Sequence, residues 1–268
     1  HGLVPYRDYL KLLKEGGYSA IPELKDTWEK RTEDFLTSRG RDIFWLADSF
    51  ADMLAEHGFK PWPDGNAAES GLYGIMQTFD YRIARYWKET RGKSATVEYM
   101  WQSIPQPGAN CSDANGYYGG PNGPGGDCGG ETLLQYLNDL GVDMFSPPMQ
   151  LLLSSGAGRT VVPSATALML KKLEVRSIGS WSMDRQGCTP KPGPPFEQPV
   201  TAELPEQFLA PCWDPSAFYY STTDGNSTWQ HVDVLIILDV LFNDVGIASL
   251  FSDYPLTVST YVNCILEA

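Results

Sequence analysis

Apolar residues along the chain follow two spacings in turn, one typical of helices and one typical of short strands. In residues 42–57, the side chains of Phe44, Ala47 and Phe50 recur at helical spacing, which predicts an amphipathic helix with one buried face. Residues 72–79 form a short apolar run bounded by turn residues, which predicts a buried strand. Because these two patterns alternate along the chain, the sequence predicts successive strand–helix units of an α/β protein.

The same reading predicts six strands, a series of helices and two long loops. The strands are predicted at residues 18–24, 72–79, 96–100, 142–146, 175–183 and 248–253. Helices are predicted at residues 4–15, 42–57, 81–90, 131–140 and 164–172, followed by one helix around residues 234–242 and a last one after residue 255. The segments 102–130 and 185–230 are rich in glycine or proline and are predicted to be loop insertions beside the active face.

Six strands are two fewer than a closed (β/α) barrel of the TIM type contains. The length of 268 residues suits one such domain. We therefore predict a single domain, residues 1–268, that supplies six of the eight units of an α/β barrel. A parallel sheet with two open edges would expose unpaired backbone groups, so an N-terminal segment or a second chain is expected to complete the barrel.

Charge and hydropathy exclude some classes of partner. The formal net charge is -13 at pH 7, and a field of that sign repels nucleic acids and anionic membranes. No apolar run reaches the roughly 18 residues that a membrane-spanning helix needs. We therefore expect no nucleic-acid partner and no transmembrane segment, and a phosphate-bearing substrate would need a local cation.

The cysteines and glycosylation motifs indicate an oxidising compartment. Cys111 and Cys128 bracket the first long loop, and Cys188 and Cys212 bracket a proline-rich part of the second, which makes both pairs disulfide candidates. Cys264 is then left without a partner. None of the five cysteines has the spacing of a zinc site. Asn-x-Ser/Thr triplets suitable for N-glycosylation occur at two asparagines, namely Asn110 and Asn226. The predicted location is extracellular or another oxidising compartment.

A few polar and aromatic residues lie where predicted strands end, which is where barrels keep their chemistry. Glu23 and Lys25 are two positions apart and point to the same side of a strand. They form either a metal and phosphate site or a structural ion pair. Glu98 is a second inward carboxylate with the same two readings. Trp181 is either a core residue or a residue that contacts substrate.

Four short motifs, in order, resemble those of the glycerophosphodiester phosphodiesterase family, in its larger secreted or periplasmic branch. The family's strand motifs "PEIK", "QSFD" and "pWT" and its closing "LFTDFPD" are similar to Ile21-Pro22-Glu23-Leu24-Lys25, Gln77-Thr78-Phe79-Asp80, Gly179-Ser180-Trp181-Ser182 and Leu250-Phe251-Ser252-Asp253-Tyr254-Pro255. The resemblance implies an eight-stranded α/β barrel that hydrolyses glycerophosphodiesters to glycerol 3-phosphate and an alcohol with a divalent cation, Ca²⁺ or Mg²⁺. It implies that Glu23 is a metal ligand, Lys25 the catalytic cation at the phosphate, and Gln77 and Trp181 substrate-binding residues.

The chain departs from that family at its amino-terminal motifs. The family's His-Arg-Gly, Glu-x-Asp and His-Asp motifs supply the acid/base histidines and most metal ligands, and none of the three histidines, His1, His57 and His231, matches them. The acid/base groups are therefore expected from a segment that completes the barrel. Two alternatives stay open: a noncatalytic barrel-derived structural or interaction protein, and a barrel glycosidase with two inward carboxylates roughly 5 to 10 Å apart.

Overall fold

The short strands and amphipathic helices form the elements that the sequence pattern predicts over most of the chain. The computed structural model describes residues 4–27, 29–63, 71–100, 131–155, 161–183, 231–252 and 255–266. The predicted long loops lie outside these ranges. The predicted disulfides and sequons therefore lie outside the described residues as well, at Cys111, Cys128, Cys188, Cys212, Asn110 and Asn226. Cys264 is described, and its thiol is exposed and free.

Nine α-helices are described in these ranges. They are α1 (Tyr6–Glu15), α2 (Lys30–Thr37), α3 (Ile43–Glu56), α4 (Tyr81–Arg91), α5 (Glu131–Asp139), α6 (Met149–Leu152), α7 (Ala165–Lys172), α8 (His231–Asp239) and α9 (Pro255–Leu266). A 3₁₀ turn (Gly92–Ser94) follows α4, and a π-helix (Val240–Val245) continues α8. None of the helices in the described ranges combines the length and the apolar character that crossing a membrane requires.

Eight strands are described, and they form three sheets. The strands are β1 (Glu23–Leu24), β2 (Ile75–Thr78), β3 (Thr96–Met100), β4 (Met144–Ser146), β5 (Leu153–Ser155), β6 (Val161–Pro163), β7 (Gly179–Met183) and β8 (Ser249–Ser252). Four of them form a parallel sheet in the order β1-β2-β3-β4. Strands β5 and β6 form an antiparallel pair, and β7 and β8 a parallel pair.

The chain divides into two compact units, residues 1–145 and 146–268. In the first unit, helices alternate with the strands of the four-stranded sheet. Every residue of β2 and β3 is buried, which is the pattern of parallel strands covered on both faces. An aromatic stack supports the helices: the ring of Phe50 lies 4.7 Å from that of Tyr6 and 5.9 Å from that of Trp87, which is fully buried.

The second unit contains the two strand pairs and helices α6 to α9. Its core includes Leu170, Met183, Leu238 and Leu241, which are fully buried. The π-helix ends at Gly246, whose φ of 80° lies in the left-handed region that glycine adopts without steric cost. The next residues lead directly into β8, so this glycine makes the tight connection between helix and strand.

The α/β class, the parallel sheet and the alternation of strands and helices are as predicted from the sequence. The first predicted strand is shorter than expected, because Pro22 has no backbone N–H to donate; Ala20 makes an isolated bridge to Gly74, and regular pairing starts at Glu23. Helices α2 and α6 and the antiparallel β5–β6 pair were not predicted.

The N-terminus of α7 has the cap that its sequence predicts. Ser164 Oγ accepts a hydrogen bond from the backbone N–H of Ala167 at 3.2 Å and donates to the carbonyl of Leu151. We expect Ser164→Ala to lower the free energy of unfolding by about 1–2 kcal/mol, because both bonds are lost at a buried site. Urea denaturation measures it, with Ser164→Thr as the variant that keeps the hydroxyl; equal losses in the two variants would contradict the cap.

Candidate functional site

Three polar side chains lie side by side on one face of the four-stranded sheet. Strand pairing places Glu23 of β1 opposite Gln77 of β2, and Gln77 opposite Glu98 of β3. Laterally paired residues of parallel strands share a face, so these three form one row, called here the Glu–Gln–Glu row. Gln77 is the next-to-last residue of β2, and Glu23 begins the two-residue strand β1, so both lie near the edge at which open and closed parallel sheets place ligands.

The two members of the row on β2 and β3 are closed to solvent. Gln77 and Glu98 are 3% and 1% exposed, and Gln77 Nε2 donates a hydrogen bond to Glu98 Oε2 at 2.5 Å. This hydrogen bond offsets part of the hydration that a carboxylate and an amide lose when they are so deeply buried. The contact therefore fixes the position of the Gln77 amide.

The outer member, Glu23, has one paired and one unpaired oxygen. Its Oε2 lies 3.1 Å from Lys25 Nζ, while its Oε1 is buried and has no hydrogen-bond partner among the described residues. The Glu23 side chain is 20% exposed and that of Lys25 is 66% exposed. Burial raises the pKa of the Glu23 carboxyl above its ordinary value, and the hydrogen bond from Lys25 opposes that increase. The carboxylate is thus held where charge is costly.

The oxygen atoms of Glu23 and Gln77 are of the chemical type that binds a hard divalent cation. An unsatisfied buried carboxylate oxygen is the atom that Ca²⁺ or Mg²⁺ takes as a ligand, and a glutamine carbonyl is a second suitable oxygen. Within the described ranges, no group of three or more His, Cys, Asp and Glu side chains is arranged to hold a metal. A cation at Glu23 would therefore complete its shell with water, substrate oxygens or residues beyond those ranges.

A buried aspartate ties together the segments that follow β1 and β2. Asp80 is fully buried and accepts hydrogen bonds from Thr27 Oγ1 at 2.9 Å and from Arg82 Nη2 at 2.8 Å. It also caps α4 by accepting from the backbone N–H of Arg82. Arg82 Nη1 also donates a hydrogen bond to Glu33 Oε1 at 3.1 Å. The hydrogen bond from Arg82 to Asp80 raises the pKa of the Arg82 guanidinium above its ordinary value. This network holds the loops next to Lys25 and Gln77 in place.

A second buried ion pair fixes β3. Lys88 Nζ lies 3.0 Å from Asp143 Oδ2, with the two side chains 5% and 8% exposed. Asp143 Oδ2 also accepts the backbone N–H of Val97 at 2.8 Å, and Lys88 Nζ donates to the carbonyl of Ala95. Because Val97 precedes Glu98, this pair sets the position of the inner carboxylate of the row.

Trp181, predicted to bind substrate, belongs to the second unit. Its side chain is 9% exposed, and its Nε1 donates to the carbonyl of Ser146 at 2.8 Å. Its backbone forms a parallel bridge with Pro148. These contacts fit the core reading of this residue, and its contact with substrate stays a prediction.

His57 lies at the end of a helix and is not a member of the Glu–Gln–Glu row. His57 ends α3 and its Nδ1 donates to the carbonyl of Met53 at 2.8 Å, while His231 begins α8 in the second unit. Asp80 and Asp143 were not selected from the sequence as functional residues. Asp80 directly follows a predicted strand and precedes a helix, which is a signal for a capping role, whereas Asp143 carries no comparable local signal.

A separate depression lies on the surface of the first unit. It is lined by Thr37, Gly40, Arg41, Asp42 and Trp45 and shares no residue with the Glu–Gln–Glu row. The guanidinium of Arg41 stacks over the Trp45 ring, 4.7 Å from its centre.

Comparisons with known proteins reveal a distant relative. No protein-family model matches the chain. The chain is similar to a protein of Arthroderma benhamiae named "Extracellular protein", with 31% identity over 144 residues. The aligned region covers 54% of this chain and spans about half, 50%, of the length of that relative.

Proposed function

We propose that this chain carries part of the active site of a cation-dependent glycerophosphodiester phosphodiesterase. The observation that carries the proposal is the buried Oε1 of Glu23 in the short parallel strand β1, an oxygen with no hydrogen-bond partner in the described part of the chain, next to Lys25. A charge is rarely retained in such a place for stability, because an unpaired buried oxygen costs free energy. Its presence is explained when the oxygen serves a ligand.

The reaction is the addition of water to phosphorus with cleavage of one phosphorus–oxygen ester bond. The proton of water ends on the departing alcohol, and glycerol 3-phosphate remains. Lys25, which is 66% exposed, is free to reach an incoming phosphate and to stabilise its developing charge. Glu23 and Gln77 supply oxygens for Ca²⁺ or Mg²⁺, which when bound would polarise a phosphoryl oxygen. The cation would also offset the repulsion of an anionic substrate by a chain of net charge -13.

The proposed fold around this site is an eight-stranded α/β barrel. The four-stranded parallel sheet supplies one wall of it, and among the described residues β1 is an edge strand. An N-terminal segment or a second chain would pair with that edge and bring the acid/base histidines. The proposed location is extracellular, which agrees with the name of the Arthroderma benhamiae relative.

The test is the variant Glu23→Gln in the natural polypeptide that contains this chain. We expect release of glycerol 3-phosphate from glycerophosphocholine to fall about a hundredfold, since a group that stabilises transition-state charge has been removed. We expect the free energy of unfolding, measured without divalent cations, to stay unchanged or to rise, because the charge of a largely buried carboxylate is removed while its ion pair with the exposed Lys25 contributes little.

The matched control is Glu89→Gln on the exposed face of α4, where Glu89 pairs with Arg85 at 2.8 Å. This variant should keep both activity and stability, because exposed ion pairs contribute little. A clear loss of stability in Glu23→Gln with no loss of activity would instead establish a structural ion pair. Activity that survives complete chelation would remove the cation from the proposal.

One observation favours a second candidate function, a barrel glycosidase. Glu23 and Glu98 lie on one face with a single strand between them, which places their Cα atoms about 10 Å apart at the usual strand spacing. Carboxyl groups at about that spacing lie near the upper limit of the range that glycosidases use. Hydrolysis of aryl glycosides that resists chelation and fails in both Glu23→Gln and Glu98→Gln would favour this function.

The third reading, a noncatalytic structural or interaction protein, makes the opposite forecast for every assay. It predicts no cation bound near Glu23, no cation-dependent hydrolysis of glycerophosphodiesters and no hydrolysis of aryl glycosides. The solvent exposure of Lys25 beside a buried carboxylate favours the catalytic readings, because an ion pair that is half open to water adds little to stability.

A further inference from the structure

We propose that Glu98 is a positioning residue that turns the carbonyl oxygen of Gln77 toward Glu23, so that Gln77 Oε1 becomes an oxygen ligand of the cation. The inference rests on the proposed cation site and assigns a role to a buried carboxylate that the hydrolysis itself does not use. It starts from the order of the three side chains in the Glu–Gln–Glu row.

The direction of the Gln77 amide follows from its partner. An amide group has a donor end, the NH₂, and an acceptor end, the carbonyl oxygen. Only the NH₂ end can face a carboxylate oxygen at 2.5 Å, because two acceptor oxygens at that distance would repel each other. Glu98 therefore holds the NH₂ end, and the carbonyl oxygen is excluded from the Glu98 side of the row.

Burial makes that orientation firm. Glu98 is 1% exposed and Gln77 is 3% exposed, so water does not compete for the hydrogen bond and a rotated amide would leave the carboxylate short of a donor. The lateral neighbour of Gln77 on its other side is Glu23, whose Oε1 is the unpartnered oxygen. Two oxygens thus belong to adjacent members of one row, which is a donor set for Ca²⁺ or Mg²⁺.

A carboxylate that orients a ligand without touching the metal has a recognised effect on binding. Partners of this kind fix the orientation of the ligating group, and their removal lowers metal affinity about tenfold to a hundredfold. Glu98 would act in this way through Gln77. The effects of replacing the two residues should consequently overlap and should not add.

The experiment is a double-mutant cycle on the whole chain, read by isothermal titration calorimetry with CaCl₂ and, separately, with MgCl₂. Glu98→Met and Gln77→Met should each lower the cation affinity about tenfold or more. The double variant should bind the cation no more weakly than the weaker-binding of the two single variants. The positioning role would be overturned if the fold loss of affinity in the double variant equalled the product of the two single losses. An unchanged affinity in Glu98→Met would overturn it as well.

Two further variants keep the outcome readable. Glu98→Gln is the milder replacement should Glu98→Met fail to fold, and it too should lower the affinity, because a second amide no longer dictates which end of Gln77 it faces. Thr96 is on β3, the strand of Glu98, and its Oγ1 accepts a hydrogen bond from the backbone N–H of Trp62. Thr96→Val removes this bond, so it should lower stability while leaving the cation affinity unchanged.

The failure of this inference is distinguishable from the failure of the proposed function. If the unaltered chain binds neither cation, the cation site itself is wrong and the positioning role falls with it. If the unaltered chain binds and Glu23→Gln abolishes binding while the Glu98 and Gln77 variants bind normally, the cation site stands and only the positioning role is wrong.

Discussion

Replacing Asp143 with alanine is expected to lower the free energy of unfolding by about 3–5 kcal/mol, the usual cost of leaving one partner of a buried ion pair alone. Lys88, whose side chain is only 5% exposed, would lose its carboxylate partner. The backbone N–H of Val97 would also lose its acceptor. Guanidinium chloride denaturation followed by tryptophan fluorescence measures the loss.

Two further variants separate the effect of burial from the effect of charge pairing. Asp143→Asn keeps an oxygen for Val97 and should lose less than the alanine variant. Arg85→Ala breaks an ion pair on the same helix, with an N···O distance of 2.8 Å against 3.0 Å for Lys88 and Asp143. Because the Arg85 pair is exposed, its loss should cost at most about 0.5 kcal/mol. Similar losses for Asp143→Ala and Arg85→Ala would contradict the importance of burial.

This ion pair also connects stability to the candidate site. Asp143 holds the backbone of Val97, and the next residue is Glu98, whose carboxylate positions the Gln77 amide in our proposal. A strand that shifts by one residue turns every side chain to the opposite face. The buried pair between Lys88 of α4 and Asp143, the residue before β4, thus helps to keep Glu98 on the face that carries Glu23.

The strands of the first unit could be predicted because their sequences are short, apolar and bounded by turn residues. Strand β3 was predicted with its observed bounds, since all five of its residues are buried and the segment reads as one run. Helix α2 could not be found in this way. Its only buried residue is Leu36, and its polar residues stabilise it locally through pairs such as Lys30 with Asp34 at 2.7 Å.

The candidate site could be predicted only in part, for a related reason. Glu23, Lys25 and Gln77 were selected from a motif resemblance, and Glu98 from its place on a strand. The hydrogen bond between Gln77 and Glu98 joins residues 21 positions apart, and it depends on the register between β2 and β3. Local patterns indicate which residues form a strand, but the register is set by tertiary contacts such as the one at Asp143.

Asp80 is the second residue whose loss should have a large effect. We expect Asp80→Ala to lower the free energy of unfolding by about 3 kcal/mol, the sum of a lost helix cap and lost hydrogen bonds to a charged partner. The fully buried carboxylate bonds Thr27, which follows β1, to Arg82, which follows β2. The same variant should weaken cation binding, because the ends of these strands carry Glu23 and Gln77.

Asp42 provides the matched control, since it caps α3 in an exposed position, where it accepts a hydrogen bond from the backbone N–H of Trp45 at 2.7 Å. Asp42→Ala should therefore cost about 1 kcal/mol and leave cation affinity unchanged. The difference between the two aspartates measures what Asp80 contributes beyond capping. If Asp80→Ala lost no more stability than Asp42→Ala, the connection between β1 and β2 would rest on backbone pairing alone, and the network of Thr27 and Arg82 would have no part in holding the row.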